Sequence, residues 1–75
     1  MKFKEFVDWC NDRAADGCWG IATAKFCIDI INTIREQPFW RREKFWKSEY
    51  EEMIVRDIVK PIEEKMKECR KEYSL

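Results

Sequence analysis

A chain of 75 residues, 45% hydrophobic and 40% charged, has room for one domain and too much apolar content to be disordered throughout. Fifteen Lys and Arg offset fifteen Asp and Glu, so no net field draws it onto nucleic acid or an anionic membrane. With no His, the chain lacks the commonest general base and the commonest neutral metal ligand, which makes an enzyme the least favoured class.

Phe3, Phe6, Val7, Cys10 and Ala14 recur at helical spacing and Gly17 follows them. This predicts a first helix from about residue 3 to residue 15 with a glycine C-terminal cap. Asp8, Asp12 and Asp16 fall on the opposite face, where a solvated surface is expected rather than a cation site. Trp9 and Arg13, one turn apart between the two faces, are spaced to stack on each other or to frame a ligand. Met1 to Glu5 lead directly into this amphipathic segment, and no run approaches the roughly 18 apolar residues of a membrane span. A cytoplasmic protein with neither signal peptide nor membrane contact is therefore expected. In that compartment Cys10, Cys18, Cys27 and Cys69 stay reduced and act as small buried hydrophobes. Their spacing does not suit a zinc site, which takes paired ligands about two to four residues apart, although the turn leaves a Cys10–Cys18 pairing open.

Asp16-Gly17-Cys18-Trp19-Gly20 holds both glycines and reads as a turn that needs positive φ or a close approach, with Trp19 as a lid on the core or a platform for a partner. From Ile21 to Gln37 the chain is at its most apolar. Lys25, Asp29, Asn32, Thr33 and Glu36 form one narrow polar stripe on this central helix, and Lys25 and Asp29 are spaced for an intrahelical ion pair. The wide apolar face must be covered on two sides, by flanking helices or by a second copy of the protein. Pro38 ends this helix and suits the start of the next.

The segment Pro38-Phe39-Trp40-Arg41-Arg42-Glu43-Lys44-Phe45-Trp46-Lys47 repeats a Phe-Trp-basic pattern, and two of the four tryptophans coincide with the only basic cluster. Ser48-Glu49-Tyr50-Glu51 matches a capping box and predicts the start of a long final helix. Tyr50, Ile54, Ile58 and Ile62, joined by Val55, Val59, Met66, Cys69 and Tyr73, give that helix a sustained seam, which Pro61 kinks or splits. No linker or low-complexity tract divides residues 1–75, which are expected to form a single domain.

The aromatic and basic segment supports two kinds of chemistry. Aromatic faces stack bases and arginine forks grip phosphates, which makes Trp9, Trp40 and Trp46 candidates for bases and Arg13, Arg41, Arg42 and Lys44 candidates for phosphates. The alternative is that Phe39 and Trp46, two turns apart, plug the end of the bundle while the basic residues stay wet. A single cluster in a neutral protein makes too short a track for extended nucleic acid.

The run Phe6-Val7-Asp8-Trp9-Cys10-Asn11-Asp12-Arg13-Ala14-Ala15-Asp16-Gly17-Cys18-Trp19-Gly20, with Cys27-Ile28-Asp29-Ile30 and Pro38-Phe39-Trp40-Arg41-Arg42-Glu43-Lys44, resembles small phage and prophage proteins of Gram-positive gut bacteria. The resemblance carries over no functional residue. It implies defence evasion, either by oligomers that sequester a cyclic nucleotide or by proteins that block a host defence protein such as a CRISPR effector.

The sequence thus predicts an all-α fold, a small helical bundle with a long, proline-kinked C-terminal helix that self-associates as a homo-oligomer. It assigns no catalytic residue, metal or cofactor. The expected activity is sequestration of a small anionic nucleotide in the host cytoplasm. A protein-binding inhibitor or adaptor, or a plain structural oligomer, is the alternative. A nucleotide-sequestering oligomer requires a pocket at a subunit boundary, whereas a protein binder requires an exposed hydrophobic patch.

Overall fold

The computed structural model describes residues 1–17 and 19–73, the side chains as far as Glu68, and every regular element among them is helical. Helix α1 (Phe3–Asp16) opens where the Glu5 carboxylate accepts the Lys2 N–H at 3.1 Å. It closes at Gly17, whose φ of 67° is a left-handed conformation that a Cβ disfavours, and whose N–H donates to the Arg13 carbonyl. Among the described residues, positive φ occurs at Gly17 alone. Gly20 is extended (φ −76°, ψ 162°) and serves as the N-cap of the next helix. A Cβ at either glycine would meet nothing within 4 Å, so no close approach explains them.

Helix α2 (Ile21–Arg35) stops before the predicted Gln37, because Pro38 disfavours helical geometry in the residue ahead of it. The Gln37 N–H turns back to the Ile34 carbonyl at 3.1 Å. Pro38 (φ −53°, ψ 145°) then caps helix α3 (Phe39–Trp46).

No new helix begins at Ser48, contrary to the capping-box expectation. The chain runs on from α3 through a π-helical turn (Lys47–Glu51), a short α4 (Glu52–Ile54), a second π turn (Val55–Val59) and α5 (Lys60–Tyr73). The Ser48 hydroxyl donates back to the Phe45 carbonyl at 3.4 Å, as a side chain inside a helix does, and Glu51 takes the Met1 ammonium at 3.1 Å. The π turns have a physical reason in the sequence. Apolar residues at 46, 50, 54, 58 and 62 repeat every four positions, and at 3.6 residues per turn such a row drifts by about 40° at each step. Wider, i→i+5 turns absorb that drift and keep Trp46, Ile54 and Val59 in the core, with Tyr50, Ile58 and Ile62 packed against it. Pro61 does not split the helix. The second π turn lies in the turn where its ring crowds the ladder and its missing N–H frees a carbonyl.

Contacts fix the topology as up, down, up. The Phe3 N–H donates to Glu43 Oε2 at 2.8 Å and Trp46 Nε1 donates to the Met1 carbonyl at 2.8 Å, which pins the start of α1 beside α3. The end of α1 reaches α5, where Arg13, Glu63, Met66 and Lys67 line one groove. α2 therefore descends between two ascending helices. The core is shared by Phe6, Trp9 and Cys10 of α1, Cys27, Ile30, Ile31 and Ile34 of α2, and Trp46, Ile54 and Val59 of the long helix. Beyond Ile62 the long helix continues past this core and sets the longest dimension at 48 Å, against 20 and 17 Å.

Within one chain the flanking helices do not cover the apolar face of α2 on both sides, since Ile21 is 90% exposed and Phe26 and Ile28 are also open, so of the two expected covers the flanking helices supply only part. One expectation for α2 is corrected. Lys25 and Asp29 form no ion pair among the described residues; separately, the Asp29 backbone carbonyl accepts the Thr33 hydroxyl at 2.8 Å. Cys10 and Cys27 are buried free thiols, as expected of small hydrophobes. Cys18, the other half of the possible Cys10–Cys18 pairing, lies outside the described residues, as do the side chains of the seam positions Cys69 and Tyr73.

Candidate functional site

The seven candidate residues do not converge in one chain. Two groups form, one at each end of α1.

The first group is Trp9 and Arg13, and they stack on each other: the guanidinium carbon lies 5.5 Å from the indole centroid. Trp9 is only 8% exposed, runs parallel to Phe6 at 6.4 Å and receives the edge of Trp19 at 6.3 Å and 81°. Trp19 is thus a lid over the core. Arg13 reaches Asp16 at 2.8 Å, so the aspartate face carries one ion pair at its end. Two buried donors, Trp9 Nε1 and Arg13 Nε, have no acceptor among the described residues. A buried N–H without a partner costs about 1–3 kcal/mol, so this corner is polar and unsatisfied. Beside it, Arg13, Glu63, Met66 and Lys67 line an open groove of about 210 Å³.

The second group is the basic aromatic segment, and the structure divides it. Trp46 has no exposed surface, stacks on Phe6 at 4.6 Å and 16°, and spends its N–H on Met1. It plugs the end of the bundle and offers no free face to a base. Phe39, which the alternative reading places beside it as a plug, is 76% exposed, because the first residue of α3 lies beyond the reach of α1, whose start docks at Glu43 and Trp46. Trp40 is 71% exposed and meets Phe39 edge to face at 5.5 Å and 82°. Arg42 is committed to the fold: Nε donates to the Gln37 carbonyl at 3.0 Å and an Nη to the Arg35 carbonyl at 2.9 Å, closing the end of α2. Arg41 and Lys44 remain exposed. What stands in solvent is therefore an aromatic pair, Phe39–Trp40, with the exposed cations Arg41 and Lys44 on the same helix.

The exposure of Phe39 and Ile21 escaped the sequence. Both occupy the first position of a helix, where the apolar stripe continues but the neighbouring helix no longer does. A second groove, about 250 Å³, opens along the first π turn between Lys47, Tyr50, Met53 and Arg56. At its edge Arg56 and Asp57 form an exposed pair at 2.9 Å that raises the guanidinium and lowers the carboxyl from their ordinary values.

In the core, the Cys10 thiol is pushed up by its hydrogen bond to Cys27 and by burial, and Cys27 is drawn down by the same hydrogen bond. No group of three or more His, Cys, Asp or Glu suited to a metal occurs among the described residues. No described helix is long and apolar enough to cross a membrane. No protein-family model, curated protein or solved structure matches the chain.

Proposed function

We propose that this chain is a non-catalytic, self-associating helical module that binds a protein partner through Phe39, Trp40 and Arg41, in the manner of a phage protein that blocks a host defence factor. The observation that carries the reading is the exposed Phe39–Trp40 pair. Two large aromatics held edge to face on the first turn of a helix are a rigid anchor that loses little entropy on binding, and Trp and Arg dominate the energetics of protein interfaces. The phage setting rests on the sequence resemblance. The lack of His, the commonest general base, favours binding without catalysis.

Nucleotide sequestration is the second reading, favoured by one observation: Trp40 offers an open indole face on the same helix as the exposed Arg41 and Lys44. It now rests on those three residues, with Trp9, Arg13, Arg42 and Trp46 engaged inside the fold.

One experiment separates the two. The partner captured from host extract is identified, purified and titrated against wild type and a Phe39→Ala/Trp40→Ala variant, and a nucleotide panel is run by thermal shift on the same samples. The protein-binding reading expects at least about a 30-fold loss of affinity in the variant and a flat nucleotide panel. A nucleotide that stabilises by about 2.7 kcal/mol at 100 times its dissociation constant, and fails to do so in the variant, would replace it with the second.

A further inference from the structure

We infer that the outer face of α2 is the self-association surface, and that it pairs antiparallel with α2 of a second copy about a twofold axis near Ile28. The inference rests on the self-association in the function proposed above and names the surface.

On the helical wheel Ile21, Lys25, Ile28 and Asn32 share one outward stripe, opposite Cys27, Ile30, Ile31 and Ile34, which face the core. Ile21 and Ile28 both stand in solvent. Two β-branched residues seven positions apart make the seam by which one helix packs on another.

Charge selects the occupant. Lys25 and Asp29 are exposed, and at a spacing that normally joins them within one helix they form no ion pair among the described residues. A parallel α2 pair would set Lys25 against Lys25 and Asp29 against Asp29, two repulsive contacts. An antiparallel pair centred near Ile28 reverses this. Ile28 meets Ile28 of the second copy at the axis, and Asp29 of each copy lies two positions, about 3 Å along the helix, from the level of Lys25 of the other, within reach of a lysine side chain, so two equivalent ion pairs can form. Such a surface complements itself, as an isologous interface must. The same pairing lays Ile21 of one copy toward the aliphatic stem of Arg35 of the other.

The test is sedimentation equilibrium of the full chain over a range of concentrations, with three variants. Wild type should self-associate. Ile28→Glu should weaken the dimer at least about tenfold while keeping wild-type helicity, because Ile28 is outside the core. Asp29→Lys should also weaken it, and Lys25→Asp/Asp29→Lys should restore it, since only the exchanged pair regains opposite charges. Ile21→Glu gives an independent check at the other end of the stripe. Carbodiimide coupling of mixed isotope-labelled and unlabelled protein should link Lys25 of one copy to Asp29 of the other. A dimer that survives Ile28→Glu and ignores the charge exchange would overturn this surface and leave self-association standing. A 9.2 kDa monomer at every concentration would overturn both. Trp40→Ala should leave the dimer intact, which keeps the Phe39–Trp40 contact a separate question.

Discussion

Trp40 and Trp46 each stand between a Phe and a basic residue, yet have different fates in the structure. Trp46 is enclosed, stacked and hydrogen-bonded, whereas Trp40, six residues earlier on the same helix, faces water. Trp46→Ala should therefore cost about 3–5 kcal/mol, while Trp40→Ala should stay within about 0.5 kcal/mol; chemical denaturation of the two variants reads the contrast directly. The two glycines diverge for a backbone reason. Gly17→Ser places a Cβ in the left-handed region and should destabilise by about 1 kcal/mol. Gly20→Ser puts a hydroxyl at an extended N-cap and should stabilise by a few tenths to about 1 kcal/mol, seen as opposite shifts in Tm. The buried thiols make a third prediction. Cys10 is held protonated by Cys27 and by burial, so it should resist alkylation at a pH near 8.5, where an unfolded thiol is about half ionised. Mass spectrometry should find Cys10 modified only once denaturant is added, and rapid native labelling would refute its enclosure.

Among the elements, the joint between α2 and α3 is where a residue read as a phosphate ligand proves structural. Arg42 returns across the Pro38 turn to cap the last carbonyls of α2, while its neighbour Arg41 points away. Arg42→Ala should lower stability by about 1–2 kcal/mol and Arg41→Ala by little, so replacing both together would confuse folding with binding. A thermal melt of each single variant decides it. Spacing alone could not separate the two arginines, because the receiving carbonyls are set by the tight turn at Pro38. The long helix shows the same limit. Its four-residue apolar row was legible from Tyr50 to Ile62, but a capping box at Ser48 suggested a break where the chain continues through a π turn. Burial of Trp46 and Ile54 on a common face outweighed the local preference of Ser48 for a helix start.

At the scale of the whole molecule, up-down-up packing leaves α1 and α2 shorter than the helix they lean on. The radius of gyration is 13.5 Å, above the roughly 11 Å of a rounded 75-residue chain. Small-angle scattering from the Ile28→Glu variant should give a value near the larger figure; a value near the smaller one would mean that α5 folds back onto the bundle. The mismatch in length also explains the exposed apolar residues. Where a neighbouring helix ends, as at Phe39, or stands on only one side, as along Ile21 and Ile28, the hydrophobic pattern persists without a cover.

Periodicity, glycine and proline by themselves determined the helical class, the bounds of α1, the Gly17 cap, the end of α2 near Pro38 and most of the core. Those features follow from local backbone preference and from which side of a helix is apolar, and a linear pattern carries both. Only the tertiary structure decided which tryptophans are enclosed, which arginine is a cap, that the last helix is continuous, and that the outer face of α2 is left open. Each of these depends on how far a neighbouring helix reaches, and a linear pattern holds no record of that distance.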